Sequence, residues 1–183
     1  MTPFVQTITD LLSFGTLLCG FFAVFLLFVL ITPRKEERDF ARQAADFFGT
    51  HAFLFAGVIA ATATLGSLFY SDVAGWIPCN LCWWQRIFLY PQVIVLAATA
   101  FIKDRHIKAF CLTFSIIGAV ISAYNSYLQF GGNPLVPCAA IGASTTECTF
   151  RYFLEFGYVT IPMMALTTFV LIILLMLLKK NRG

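Results

Sequence analysis

Five stretches of this chain each stay apolar for roughly the 20 residues that a helix needs to cross a hydrocarbon core. They run from about Leu11 to Ile31, Phe53 to Tyr70, Trp83 to Ile102, Ile107 to Gln129 and Tyr158 to Leu178. With 60% of its residues apolar, against about 45–50% in soluble domains, a chain of this length cannot hide that surface in one aqueous core. The bilayer is the matching solvent. The pattern predicts an all-α membrane protein: a four-transmembrane-helix bundle plus one extra N-terminal transmembrane helix. Residues 1–50 would hold the extra helix and an amphipathic segment, and residues 51–183 the four-helix domain.

The first stretch reads as a retained helix, because residues 1–10 carry no Lys or Arg and the apolar run exceeds the roughly 7–15 residues of a signal-peptide core. Charge then orients the spans. One side collects Arg34, Lys35, Arg38, Arg42, Lys103, Arg105, Lys108, Lys179, Lys180 and Arg182; the other collects only Arg86 and Arg151. The positive-inside rule puts the first side in the cytoplasm, with the N-terminus outside and the C-terminus inside. Between the first two spans, Phe40, Ala44, Phe47 and Phe48 recur at helical spacing in the charged segment from Arg34 to Phe48, which suits a short helix on the membrane surface.

The basic residues sit at span ends and form no single patch, so nucleic acid is not an expected partner. No Gly-rich phosphate loop, repeat or spaced metal-ligand cluster is present. Small residues line up at Ala56, Ala60 and Thr64, and again at Gly118, Ser122 and Ser126. Such stripes let membrane helices approach closely.

Six cysteines remain to be placed: Cys19 and Cys111 inside apolar runs, and Cys79, Cys82, Cys138 and Cys148 outside them. Two spans separate the second group into pairs, so both pairs fall on the outer face. Cys79 and Cys82 end the short loop 71–78 and open a helix expected to start near Trp83. A helix N-terminus favours thiolate, the form that attacks disulfides. Arg86, four residues beyond Cys82, shares its helical face. Two readings stand for it: a cation that snorkels to headgroups, or one that stabilises the Cys82 thiolate and polarises an electron acceptor. The cost of an arginine in a span favours the second. Trp83 and Trp84 suit an interfacial belt, Gln85 can donate to a carbonyl or face water, and Pro91 is expected to kink the helix and open space for a ligand.

Cys138 and Cys148 flank a loop rich in Gly, Ser and Thr. In an oxidising compartment they should pair. The bridge is either a structural clip or a relay; exposed disulfides are the labile, catalytic ones, and an exposed bridge on a mobile loop is the expectation. A zinc site from all four thiols would need reduced cysteines in an oxidising space.

The run Pro78-Cys79-Asn80-Leu81-Cys82-Trp83-Trp84-Gln85-Arg86-Ile87-Phe88-Leu89-Tyr90-Pro91 resembles the signature of the bacterial disulfide-bond formation protein B family, DsbB, and within it the branch called BdbC. Residues 156–162 and 124–129 are similar to that branch too, and the likeness spans about His51 to Leu178. The resemblance implies a membrane enzyme, a quinone-dependent protein-disulfide oxidoreductase. It would pass electrons from an extracytoplasmic thioredoxin-fold thiol oxidase (DsbA-like) to a quinone, ubiquinone or menaquinone, supporting disulfide formation. By position, Cys138 would take the partner's thiol in a mixed disulfide, Cys148 would relay to Cys79, and Cys82 with Arg86 would face the quinone, with Gln85 as a further cofactor-binding candidate. Two features depart from the pattern. The first helix is extra, and Asn125-Ser126 stand near where some members carry a histidine.

Two other readings compete. A reductase relay running in reverse, as in vitamin K epoxide reductase-like proteins, would place the loop pair before the Cys-x-x-Cys, which is the opposite order. A membrane scaffold with two structural disulfides would hold both bridges against mild reductant.

Overall fold

The computed structural model describes residues 2–31, 39–99, 106–133 and 148–179. Six helices stand among them: α1 (Pro3–Ile31), α2 (Asp39–Thr50), α3 (Ala52–Leu68), α4 (Asn80–Ala98), α5 (His106–Gln129) and α6 (Ile161–Leu178). A five-residue π turn, Phe69–Val73, prolongs α3. The all-helical membrane architecture is as expected.

Among the described residues, four segments are long and apolar enough to cross a membrane: α1, α3 with its π turn, α5 and α6. Helix α4 has 19 residues, or about 28 Å at 1.5 Å per residue, so its length suffices. Its composition does not, because it carries Asn80, Gln85, Arg86 and Gln92. Asn80, Gln85 and Gln92 are buried in the bundle. Gln92 donates to the Phe88 carbonyl at 2.7 Å and accepts from Ser115 of α5 at 3.0 Å. The polarity of the third expected span therefore points inward, away from lipid.

Element boundaries moved for identifiable reasons. Helix α1 begins at Pro3, eight residues before the apolar run, because a proline is favoured in a first turn and nothing between it and Leu11 breaks a helix. Helix α6 begins at Ile161 and not near Tyr158. The preceding residues form a tight turn in which Phe156 and Gly157 take φ of 51° and 77°, and Glu155 and Val159 exchange backbone hydrogen bonds. The expected surface helix is α2. Its Ala45 is buried and Phe48 meets Phe22, Phe25 and Phe55, while Phe40 and Phe47 stay exposed.

Close approach comes from small residues, as anticipated. Ala56 and Ala60 are fully buried. At Gly118 an added Cβ would collide with the Phe169 ring, so the ring of α6 lies flush on the α5 backbone. Contacts define two ends of the bundle. At one end, Lys108 Nζ donates to the Lys179 carbonyl at 2.6 Å and Gly49 abuts Leu178. At the other, Gln6 of α1 donates to Glu155 at 3.3 Å, Gln129 of α5 donates to the Phe150 carbonyl at 3.1 Å, and the Cys-x-x-Cys opens α4.

Candidate active site

Cys79 takes an extended conformation and caps α4, which starts at Asn80, three residues earlier than expected. Cys82 therefore sits within the first helical turn. Its backbone N–H donates to Cys79 Sγ at 3.4 Å, the service a Ser or Asp oxygen usually performs at a helix start. The two sulfurs lie 2.8 Å apart. From α5, the fully buried Asn125 turns its amide nitrogen toward both, 3.6 Å from Cys82 Sγ and 3.9 Å from Cys79 Sγ. The Cys79 thiol is pulled down to about 7. The hydrogen bond from the Cys82 thiol is the main cause; the Cys82 N–H and the Asn125 amide add to it against the opposing effect of burial.

Arg86 goes elsewhere. Its Nε donates to Ser67 Oγ and its Nη2 to the Ser67 carbonyl, both at 2.9 Å, while Tyr90 donates to the same hydroxyl at 3.3 Å. The guanidinium also lies over the Trp83 ring, 5.2 Å from its centroid. The shared helical face with Cys82 is real, but the long side chain turns to α3 and makes no hydrogen bond to either sulfur. Gln85 is buried, and its amide nitrogen has no partner among the described residues.

These groups share one cavity of about 550 Å³, within the roughly 300–1,000 Å³ usual for small-molecule sites. Cys79, Cys82, Gln85 and Arg86 all line it, between walls supplied by α1, α3, α4 and α6. Pro91 lies inside α4 and is not among the residues that line this cavity.

Cys148 is disulfide-bonded. Cys138 lies outside the described residues. The exposed bridge anticipated for the loop is not what Cys148 shows: it is 1% exposed and packs in one buried cluster with Cys79, Leu81 and Leu128. A run of parallel rings explains how the two segments meet. Trp76, just before the dithiol, stacks on Tyr70 at 4.9 Å on one side and on Tyr152 at 4.7 Å on the other. The Tyr152 hydroxyl then donates to the Ile77 carbonyl at 2.9 Å. Cys19, Cys79, Cys82 and Cys111 are free thiols; Cys111 is buried in the core, while Cys19 lines the cavity.

Sequence reasoning named Asn125 only as a departure near the family's histidine position and passed over Ser67 and the Tyr70–Trp76–Tyr152 stack. A signal existed for Asn125, since an amide inside an apolar run needs a reason to be there. Ser67 and the stack depend on tertiary approach and left none.

The family model for disulfide bond formation protein DsbB matches residues 49–179. The chain belongs to the DsbB family. Similar relatives include disulfide bond formation protein C of Bacillus subtilis, 42% identical over 70% of this chain and 93% of that protein. A probable disulfide formation protein of Chlamydia pneumoniae is 39% identical over 75% of this chain and 98% of its own length. One from Metapseudomonas resinovorans is 33% identical over 70% and 89%. No solved structure matches. Membership in the DsbB family makes this a multi-pass membrane protein with oxidoreductase chemistry at disulfides. Helix α1 stands outside the matched region.

Proposed function

We propose that the protein reoxidises an extracytoplasmic thioredoxin-fold thiol oxidase and delivers the electrons to a membrane quinone, ubiquinone or menaquinone. The observation that carries this is the Cys79–Cys82 pair, which lines an apolar cavity on one side and shares a buried cluster with disulfide-bonded Cys148 on the other. A dithiol between two such neighbours suits a relay.

In the proposed cycle Cys138 accepts the partner's thiol, and Cys148 leaves as thiolate. Its attack on Cys79 Sγ breaks an oxidised Cys79–Cys82 bond and releases Cys82 as thiolate; the partner closes its own disulfide and frees Cys138. The Cys138 thiolate then attacks Cys148 Sγ, restores the Cys138–Cys148 bond and releases Cys79 as thiolate. Re-forming the Cys79–Cys82 bond gives up two electrons. The capping N–H and Asn125 hold negative charge at the pair, and the Arg86 guanidinium, fixed by Ser67, supplies a permanent cation at the cavity wall.

The residues fit a quinone. Gln85 brings a buried amide nitrogen without a partner among the described residues, and a quinone carbonyl is an acceptor. Gln85 and Arg86 would hold the ring, and the surrounding apolar surface suits a lipid-soluble molecule. When bound, the quinone supplies a two-electron, two-proton acceptor. The pairs would face the extracytoplasmic side of the bacterial inner membrane, as the charge distribution favours.

Purified protein mixed with reduced partner and quinone should oxidise the partner, and Cys82→Ala should abolish that turnover. Full activity in Cys82→Ala would end this reading. The scaffold reading draws support from the burial of Cys148; it requires that the bridge resist mild reductant and that no quinone-dependent change occur at either pair.

A further inference from the structure

Helix α1 falls outside the family match at 49–179, yet Leu11, Leu12, Gly15, Thr16 and Cys19 line the same cavity as Cys82 and Arg86. The helix packs along α6 and α2. It touches α3 through Leu12, which faces Gly66, and the π turn through Phe4, which meets Phe69 edge-on at 5.9 Å. One turn beyond Leu12 the space along that seam is open. A Cβ added to Gly15 would meet no atom within 4 Å, and Val58, Ile59 and Thr62 of α3 line the same cavity.

The cavity therefore has two parts. One holds the dithiol, Gln85 and Arg86, near the level of Ser67 on α3. The other follows α3 down to Val58, nine residues or about 13 Å away at 1.5 Å per residue. A ring fills only the first. Leu11 and Val58 line the cavity and are 65% and 58% exposed, so the cavity borders the bundle surface, where a molecule dissolved in the bilayer can enter sideways.

We propose that α1 is the binding wall for the prenyl tail of the quinone, with Gly15 leaving the channel open and Cys19 at its deep end. This rests on the quinone reading above. The family bundle would hold the ring, and the added helix would select for a tailed quinone over a tail-less one.

Full-length protein in detergent, with its disulfides oxidised, is titrated with a decyl-tailed quinone and with a tail-less ring analogue, following quenching of tryptophan fluorescence. Trp76 lines the cavity and reports binding directly. Gly15→Leu should weaken the tailed quinone about tenfold, the equivalent of about two buried methylenes, and leave the tail-less analogue unchanged. Gly20→Leu adds the same bulk to α1 where nothing lies within 4 Å and no cavity wall is formed, so it should bind as wild type. Separately, alkylation of Cys19 by N-ethylmaleimide, read by mass spectrometry, should be slowed by the tailed quinone and not by the analogue. If the tailed quinone binds but neither Gly15→Leu nor Cys19 labelling responds, the role of α1 is wrong and the quinone reading stands. Failure of the wild-type protein to bind either compound overturns both.

Discussion

Among the residues at the helix start, the hydrogen bonds go first to Cys79. Its thiol sits near 7 because Cys82 and Asn125 donate to it, so its thiolate is present above about pH 7 and is lost as pH falls through that value. Alkylation of Cys79 in the reduced protein, followed by mass spectrometry, should rise to half its maximum near pH 7, well below an ordinary thiol at about 8.5. Asn125→Ala should move that midpoint upward and slow alkylation at pH 7 about threefold; an unmoved midpoint would remove Asn125 from the site. Arg86 acts at a different atom. Arg86→Ala should weaken quinone binding about tenfold or more, the loss of one hydrogen bond to a charged group, while both disulfides still form. Ser67→Ala, which frees the guanidinium without deleting it, should show a smaller change in the same titration.

Helix packing follows from residue size. Gly118 is where α5 meets the Phe169 ring of α6, and the smallest possible side chain already collides there. Gly118→Ala should lower stability by about 1–3 kcal/mol, seen as an earlier thermal transition in detergent, and Phe169→Leu in the same chain should restore part of it. Much at this scale was legible beforehand. The apolar runs located the spans, and the small-residue stripes located the close contacts, because both depend on local spacing. Helix starts were less legible: α4 begins where Cys79 caps it and α6 begins after a turn with positive φ, and neither conformation is encoded by hydropathy. The site was split the same way. Cys79, Cys82, Arg86 and Gln85 share one cavity and stood close in sequence; the bonds from Ser67 and Asn125 come from other helices and appear only on folding.

Across the whole molecule, the Tyr70–Trp76–Tyr152 stack joins the segment before α4 to the segment before α6, and so brings Cys148 to Cys79. Trp76→Ala should slow electron exchange between the two cysteine pairs about tenfold, a loss of the size expected for breaking two aromatic contacts, while alkylation of Cys79 in the reduced protein keeps its pH midpoint. Equal exchange rates would mean that the stack does not set the distance between the pairs. The inward polarity of α4 bears on how the protein is made. A segment carrying Asn80, Gln85, Arg86 and Gln92 is a poor candidate to enter the bilayer alone, since one arginine at mid-depth costs roughly 2.5–3.5 kcal/mol during insertion. Ser67 on α3 and Ser115 on α5 offset that cost only once their helices are alongside. Helix α4 is thus held in place by the same neighbours that bond its polar side chains, so its settling in the bilayer depends on α3 and α5 lying alongside.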